Sequence, residues 1–250
     1  MSKTIVIKVG TNVIAKPDGF LNMPAIRSIV GQVSTLVEAG IKVVLITSGA
    51  VGAGRALVTV RGQASATEKR QVLAAVGQVE LMASYSRLFQ KRGLHPAQVL
   101  ATKDDFQGGK HFANMRHCFR VLLANGVIPV VNENDVVSVE ELMFTDNDEL
   151  AGLVATMVKA DELIILSSVD GIMTQNGELI RKIERHTHFK NYLTKEKSSF
   201  GRGGMFNKAA VAERLARQGI AVQIVNGGKR NIILEAVRHT AVGTLFVPHT

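Results

Sequence analysis

Short runs of β-branched and aliphatic residues recur between longer amphipathic segments throughout this chain. Several runs, such as Ile5-Val6-Ile7 and Val43-Val44-Leu45-Ile46, are apolar on both faces. A strand that faces water on one side alternates apolar and polar residues, whereas a strand covered on both sides does not. The pattern requires a mainly parallel sheet buried between helices. The fold class is therefore α/β, read as one three-layer αβα sandwich.

Strands are expected over residues 4–9, 42–47, 97–101, 127–132, 163–167, 222–225 and 244–247. Asn22, with Pro24 in the first turn, opens a helix that runs to Gly40, and Ser65 with Glu68 forms a capping box before a long helix stopped by Gly93. Further helices are expected over 111–125, 148–159, 207–218 and 231–238. Asn176-Gly177 reads as a hairpin turn and the polar run 195–204 (KEKSSFGRGG) as a loop.

With 250 residues, 46% apolar and 20% charged, collagen-like, coiled-coil and disordered classes are excluded. One cysteine, Cys118, allows no intrachain disulfide; its place in a helix suggests core packing. No stretch approaches the ~18 apolar residues of a membrane span, and no leader is evident, so a cytoplasmic chain is expected.

Net charge is +9, which raises a nucleic-acid-binding reading. The excess is uneven, however: residues 1–170 hold 17 basic and 16 acidic side chains, and residues 171–250 hold 13 and 5. A bound anion belongs near the last third. With 2 Tyr, 10 Phe and no Trp, and no aromatic-basic signature, nucleic acid is the weaker reading.

Two glycine patterns fail as nucleotide fingerprints. Gly49-Ala-Val-Gly52-Ala-Gly54 has the dinucleotide spacing reversed, and Gly109-Lys110 and Gly228-Lys229 carry Asp104 and Gln223 where a P-loop needs glycine. What remains is a set of polar loops at strand ends, where parallel α/β sheets bind ligands. These are Lys8-Val9-Gly10-Thr11-Asn12, Thr47-Ser48-Gly49-Ala50 and Asn132-Glu133-Asn134-Asp135.

Lys8 sits inside an apolar run, where a charge is costly unless it meets an anion. Gly201 to Lys208 is a glycine-rich loop opening into a helix; it suits either a phosphate cradle or a plain linker. Asp146-Asn147-Asp148 fits a helix cap, or a carboxylate that positions lysines. His186-Thr187-His188 has i, i+2 metal spacing without a third nearby ligand.

In this order, Lys8-Val-Gly-Thr, Val44 to Ala50, Leu73 to Gln78, Val130 to Asp135, Asp146 to Asp148 and Gly203 to Lys208 resemble the glutamate 5-kinases of the amino acid kinase family. The resemblance covers essentially the whole chain. It implies transfer of phosphate from ATP to the γ-carboxylate of L-glutamate, the first step of proline biosynthesis, and an eight-stranded sheet. Glutamate would bind the N-terminal part and ATP the part from about residue 160 to 250. The resemblance further implies Mg²⁺, a homodimer or homotetramer, and proline as a feedback inhibitor, with no nucleic acid and no membrane as partners.

Carried over residue by residue, Lys8 and Lys208 bracket the transferred phosphoryl and Asp148 holds them. Ser48, Asp135 and Asn147 bind glutamate, and Lys8, Ser167, Ser168, Arg202, Gly203, Gly204, Met205, Phe206, Asn207 and Lys208 border ATP. The chain departs from the family pattern at Ser167-Ser168, Thr145 and Arg202, and it ends where many relatives continue into an RNA-binding-type domain. Acetylglutamate, aspartate and carbamate kinases are the nearest alternatives.

Overall fold

The computed structural model of the chain describes residues 2–137, 147–185, 187, 189, 204–240 and 242–249. Among these residues eight strands form one sheet: β1 (Thr4–Val9), β2 (Lys42–Ile46), β3 (Pro96–Ala101), β4 (Ile128–Glu133), β5 (Glu162–Ser167), β6 (Lys182–Ile183), β7 (Ala221–Asn226) and β8 (Thr244–Phe246). The spatial order is β3-β4-β2-β1-β5-β7-β8-β6. All neighbours are parallel except β7 and β8. The helices between them are α1 (Thr11–Ile14), α2 (Met23–Glu38), α3 (Ala50–Leu57), α4 (Ala66–Gln90), α5 (Gly109–Ala124), α6 (Asn147–Val158), α7 (Met205–Arg217) and α8 (Ile232–Val237). None is long and apolar enough to cross a membrane.

The doubly apolar strands are explained by two cores, one on each face of the sheet. Val6, Val44, Ile46, Leu163 and Ile165 pack with residues of α6 and α7. Their chain neighbours Ile5, Ile7, Leu45, Ile164 and Leu166 pack against α2, α4 and α8 on the opposite face. Each buried leucine-sized side chain contributes ~1.5–3 kcal/mol of transfer free energy. A sheet loaded on both faces therefore carries most of the fold.

The expected caps form. Asn22 accepts a hydrogen bond from the Ala25 N–H, and Ser65 and Glu68 close a reciprocal box at 3.2 and 2.7 Å. Gly177 takes φ +79° in the turn between the bridged residues Met173 and Leu179, as its hairpin assignment requires. Three elements depart from expectation. Strand β6 has only two residues, α1 only four, and α3 carries glycines that weaken its helical signal. Cys118 is exposed and does not pack in the core; α5 buries only Phe119 fully, and one residue further back the helix turns away from the sheet.

The glycines of α3 and α4 have a packing reason. A Cβ on Gly77 would lie 1.8 Å from the Ala50 carbonyl oxygen, and one on Gly54 would lie 1.9 Å from that of Leu73. The two helices meet backbone to backbone, which draws α4 onto the loop after β2. Gly77→Ala should therefore destabilise the protein by at least ~2 kcal/mol, the upper part of the overpacking range. Urea unfolding at unchanged midpoint would contradict this close approach.

Candidate active site

The carboxyl ends of β1, β2, β4 and β5 open on one side of the sheet, and polar groups collect there. Lys8, on the central strand β1, is 5% exposed between its register partners Ile46 and Ile165. Its Nζ reaches Asp148 Oδ1 at 2.5 Å, and Lys208, in the first turns of α7, reaches Asp148 Oδ2 at 2.9 Å. Asp148 is fully buried at the start of α6. Burial alone would push its carboxyl up, but Lys8 and Lys208 overturn that effect and hold it below the usual carboxylate range. Two ammonium groups thus converge on one buried carboxylate, an arrangement suited to meeting an anionic group.

Beside Asp148 in the chain, Asn147 points into a different set of contacts. Its Nδ2 donates to the Thr47 carbonyl at 2.6 Å, to Ser48 Oγ at 2.8 Å and to Asn132 Oδ1 at 3.2 Å. The Thr47 carbonyl can only accept, so it fixes which way the Asn147 amide faces. Polarity then propagates: Asn132 Nδ2 donates to Gln78 Oε1 at 2.9 Å. Gly49, at φ +98°, turns the chain directly after Ser48, a conformation that glycine adopts without strain. Underneath, the buried Tyr85 hydroxyl shares a hydrogen bond with Thr47 Oγ1 at 3.0 Å, and burial raises its pKa to about 12.

Asp135 lies just past the end of β4, 8% exposed, and Arg70 of α4 reaches it from across the cleft. A cavity of about 270 Å³ lies alongside, lined by Ala50, Gln78, Glu133, Asn134 and Asp135 among others. That is near the lower end for ligand sites and suits an amino-acid-sized molecule.

On the other side, Ser167 is buried at the end of β5 and Ser168 is exposed. Gly204 precedes α7 in extended conformation; Phe206 is exposed, while Met205 packs partly against the core. Near these, Asp170 accepts from Asn226 Nδ2 at 2.8 Å and pairs with Lys229 at 2.7 Å; the Lys229 and Asn226 hydrogen bonds lower its pKa. Arg202 and Gly203, like Thr145, Asp146, His186 and His188, lie outside the described residues.

Five of the expected site residues thus meet at Asn147 and Asp148. Lys8, Lys208 and Asp148 form one contact set, and Ser48 and Asn147 another next to it. Asp135 stands beyond, by the cavity. Arg70 was not named from the sequence, and Gln78, Asn132 and Glu133 were named only within a motif and a strand-end loop, without roles of their own. The last two stand in a polar run that ends an apolar strand, which was a usable signal; Arg70 carried none.

Residues 3–226 match the model of the amino acid kinase family. The chain is 44% identical to a glutamate 5-kinase of Bacteroides thetaiotaomicron, covering 98% of this chain and 70% of that protein. It is 45% identical to the glutamate 5-kinase of Chlorobaculum tepidum, covering 98% and 69%. Among solved structures, N-acetylglutamate synthase from Neisseria gonorrhoeae shares the fold at TM-score 0.71 and 16% identity, over 99% of this chain and 62% of that one.

Replacing Asp148 with Asn would leave two buried lysines without a counter-charge and should cost ~3–5 kcal/mol at pH 7. Because its folded pKa is depressed, the contribution of Asp148 is fully present above the ordinary carboxylate range. It fades as pH falls through the lower folded value. The gap between wild type and Asp148→Asn in urea unfolding should then be constant from pH 7 to 5 and shrink towards pH 2. A gap independent of pH throughout would contradict the assigned ionisation.

Proposed function

The chain belongs to the amino acid kinase family, within it to the glutamate 5-kinases, and from that premise we propose how its residues transfer phosphate from ATP to L-glutamate. The observation that supports the reading is the adjacency of two unlike sites across one peptide bond: Asn147 in a chain of neutral amides, Asp148 under two lysines. Glutamate lies on the first and the triphosphate on the second.

A γ-carboxylate, which ordinarily titrates near ~4.3, is already ionised at pH 7, so no general base is needed. One of its oxygens bonds to the γ-phosphorus, and the bond from that phosphorus to the β,γ-bridging oxygen breaks. The products are ADP and L-glutamyl 5-phosphate, a mixed anhydride. The barrier is largely electrostatic, since one anion must approach another. Lys8 and Lys208 meet the phosphoryl group from the two halves of the chain and offset the charge spread over its oxygens. Asp148 keeps their ammonium groups together between turnovers.

Positioning supplies the rest, worth up to ~7–11 kcal/mol when both reactants are aligned. Ser48, Asn147 and Asp135 grip glutamate by its polar backbone groups. Ser167, Ser168 and residues 202–208 border the nucleotide, so one kinase domain holds glutamate in its N-terminal part and ATP in residues 160–250. Both Asp148 oxygens face lysines, so Asp148 is not the group that would hold a magnesium ion. Magnesium would enter with ATP, held largely by phosphate oxygens and water. Proline as a feedback inhibitor, a homo-oligomeric state and a cytoplasmic location accompany this reading through the family alone.

An ADP-release assay across glutamate, N-acetylglutamate, aspartate and carbamate, with and without proline, tests the substrate. Turnover should require glutamate, and preference for any of the other three would overturn the assignment. Lys208→Ala should lower kcat by ~10²–10³ with the melting transition preserved. A folded variant with near-normal turnover would remove Lys208 from the mechanism.

A further inference from the structure

Arg70 belongs to none of the motifs that identify the family, yet it makes the densest set of charged contacts on the acceptor side. It projects from α4 towards the end of β4. Its Nε donates to Asp135 Oδ1 at 2.9 Å, its Nη2 donates to the same oxygen at 2.6 Å, and Nη2 also reaches Glu133 Oε2 at 3.1 Å. The carboxylate side chains are only 8% and 5% exposed, and the guanidinium is 26% exposed. Both donors on Asp135 fall on Oδ1, so Oδ2 accepts no hydrogen bond from a described residue.

This geometry does more than neutralise a charge. A carboxylate held by two donors on one oxygen cannot rotate freely, so its second oxygen is fixed in direction. The outer oxygen of Asp135 carries negative charge, which is complementary to an ammonium group. A neutral N-acyl group in that place would leave the charge uncompensated.

We infer that Arg70 is a positioning residue for the amino-acid substrate: it pins Asp135 through Oδ1 and presents Oδ2 to the substrate's α-ammonium. The inference rests on the assignment of Asp135 to that ammonium. Asp135 binds the ammonium, and Arg70 acts only through it, without touching the reacting atoms. Its orientation depends on α4 lying against α3, the contact that Gly54 and Gly77 make possible.

The test is a double-mutant cycle on the full chain, reading KM for glutamate, KM for ATP and kcat. Arg70→Gln should raise the glutamate KM about tenfold or more, as expected for a lost charge-assisted pair, while the ATP KM and kcat move less than about threefold. Arg70→Lys keeps the charge but loses the fork, so it should restore only part of the affinity and keeps the test open should the Gln variant fold poorly. In an Asp135→Asn background, Arg70→Gln should add nothing further to the glutamate KM. An unchanged glutamate KM in Arg70→Gln, full rescue by Lys, or additive effects in the double variant would overturn the role of Arg70. If Asp135→Asn alone leaves the glutamate KM unchanged while glutamate is still phosphorylated, the ammonium assignment fails and this inference fails with it. Loss of glutamate as a substrate for the wild type would instead refute the function itself.

Discussion

One buried carboxylate brings the two halves of this chain to a single point. Asp148 has no access to water, and an isolated carboxylate in that position would be protonated or would not be buried at all. It stays ionised because Lys8 comes from the first strand and Lys208 from a helix two hundred residues later. Neither lysine is stable there without it, and it is not stable there without them. The three elements must therefore pack together before any of their charges is tolerated, and in the proposed mechanism the two ammonium groups gathered there meet the phosphate.

Around that point the structure separates two kinds of polarity. On the phosphate side the groups are formal charges in a dry setting, where electrostatic attraction is strong and little screened. On the acceptor side Gln78, Asn132, Asn147 and Ser48 are neutral and hydrogen-bonded in series, a rigid arrangement whose direction is set by one backbone carbonyl. The neutral amides beside the lysines add no negative charge of their own, as further carboxylates would have done.

The fold was legible because burial on both faces leaves a blunt mark in the sequence: β-branched runs such as Ile5 to Ile7 and Leu163 to Ile165 have no alternative use. Caps at Asn22 and Ser65 were equally direct. Strand β6 was not legible, since two residues give no pattern, and α3 was obscured by glycines whose purpose is tertiary. Cys118 was misplaced because the helical face it occupies depends on how little of α5 touches the sheet. Within the site, Lys8 announced itself as a charge in an apolar run, and the order of motifs joined it to Lys208 and Asp148. Arg70 looked like any arginine on a helix surface, because what distinguishes it is the end of a strand sixty residues away.

Asn147 and Asp148 are consecutive residues, and their Cα atoms are separated by the fixed ~3.8 Å of a trans peptide. The neutral contact set and the charged one thus hang from backbone points whose separation is covalent. Breathing motions can move the whole assembly, yet they cannot stretch this step. In the proposed mechanism, that peptide unit is a ruler laid between the two reactants.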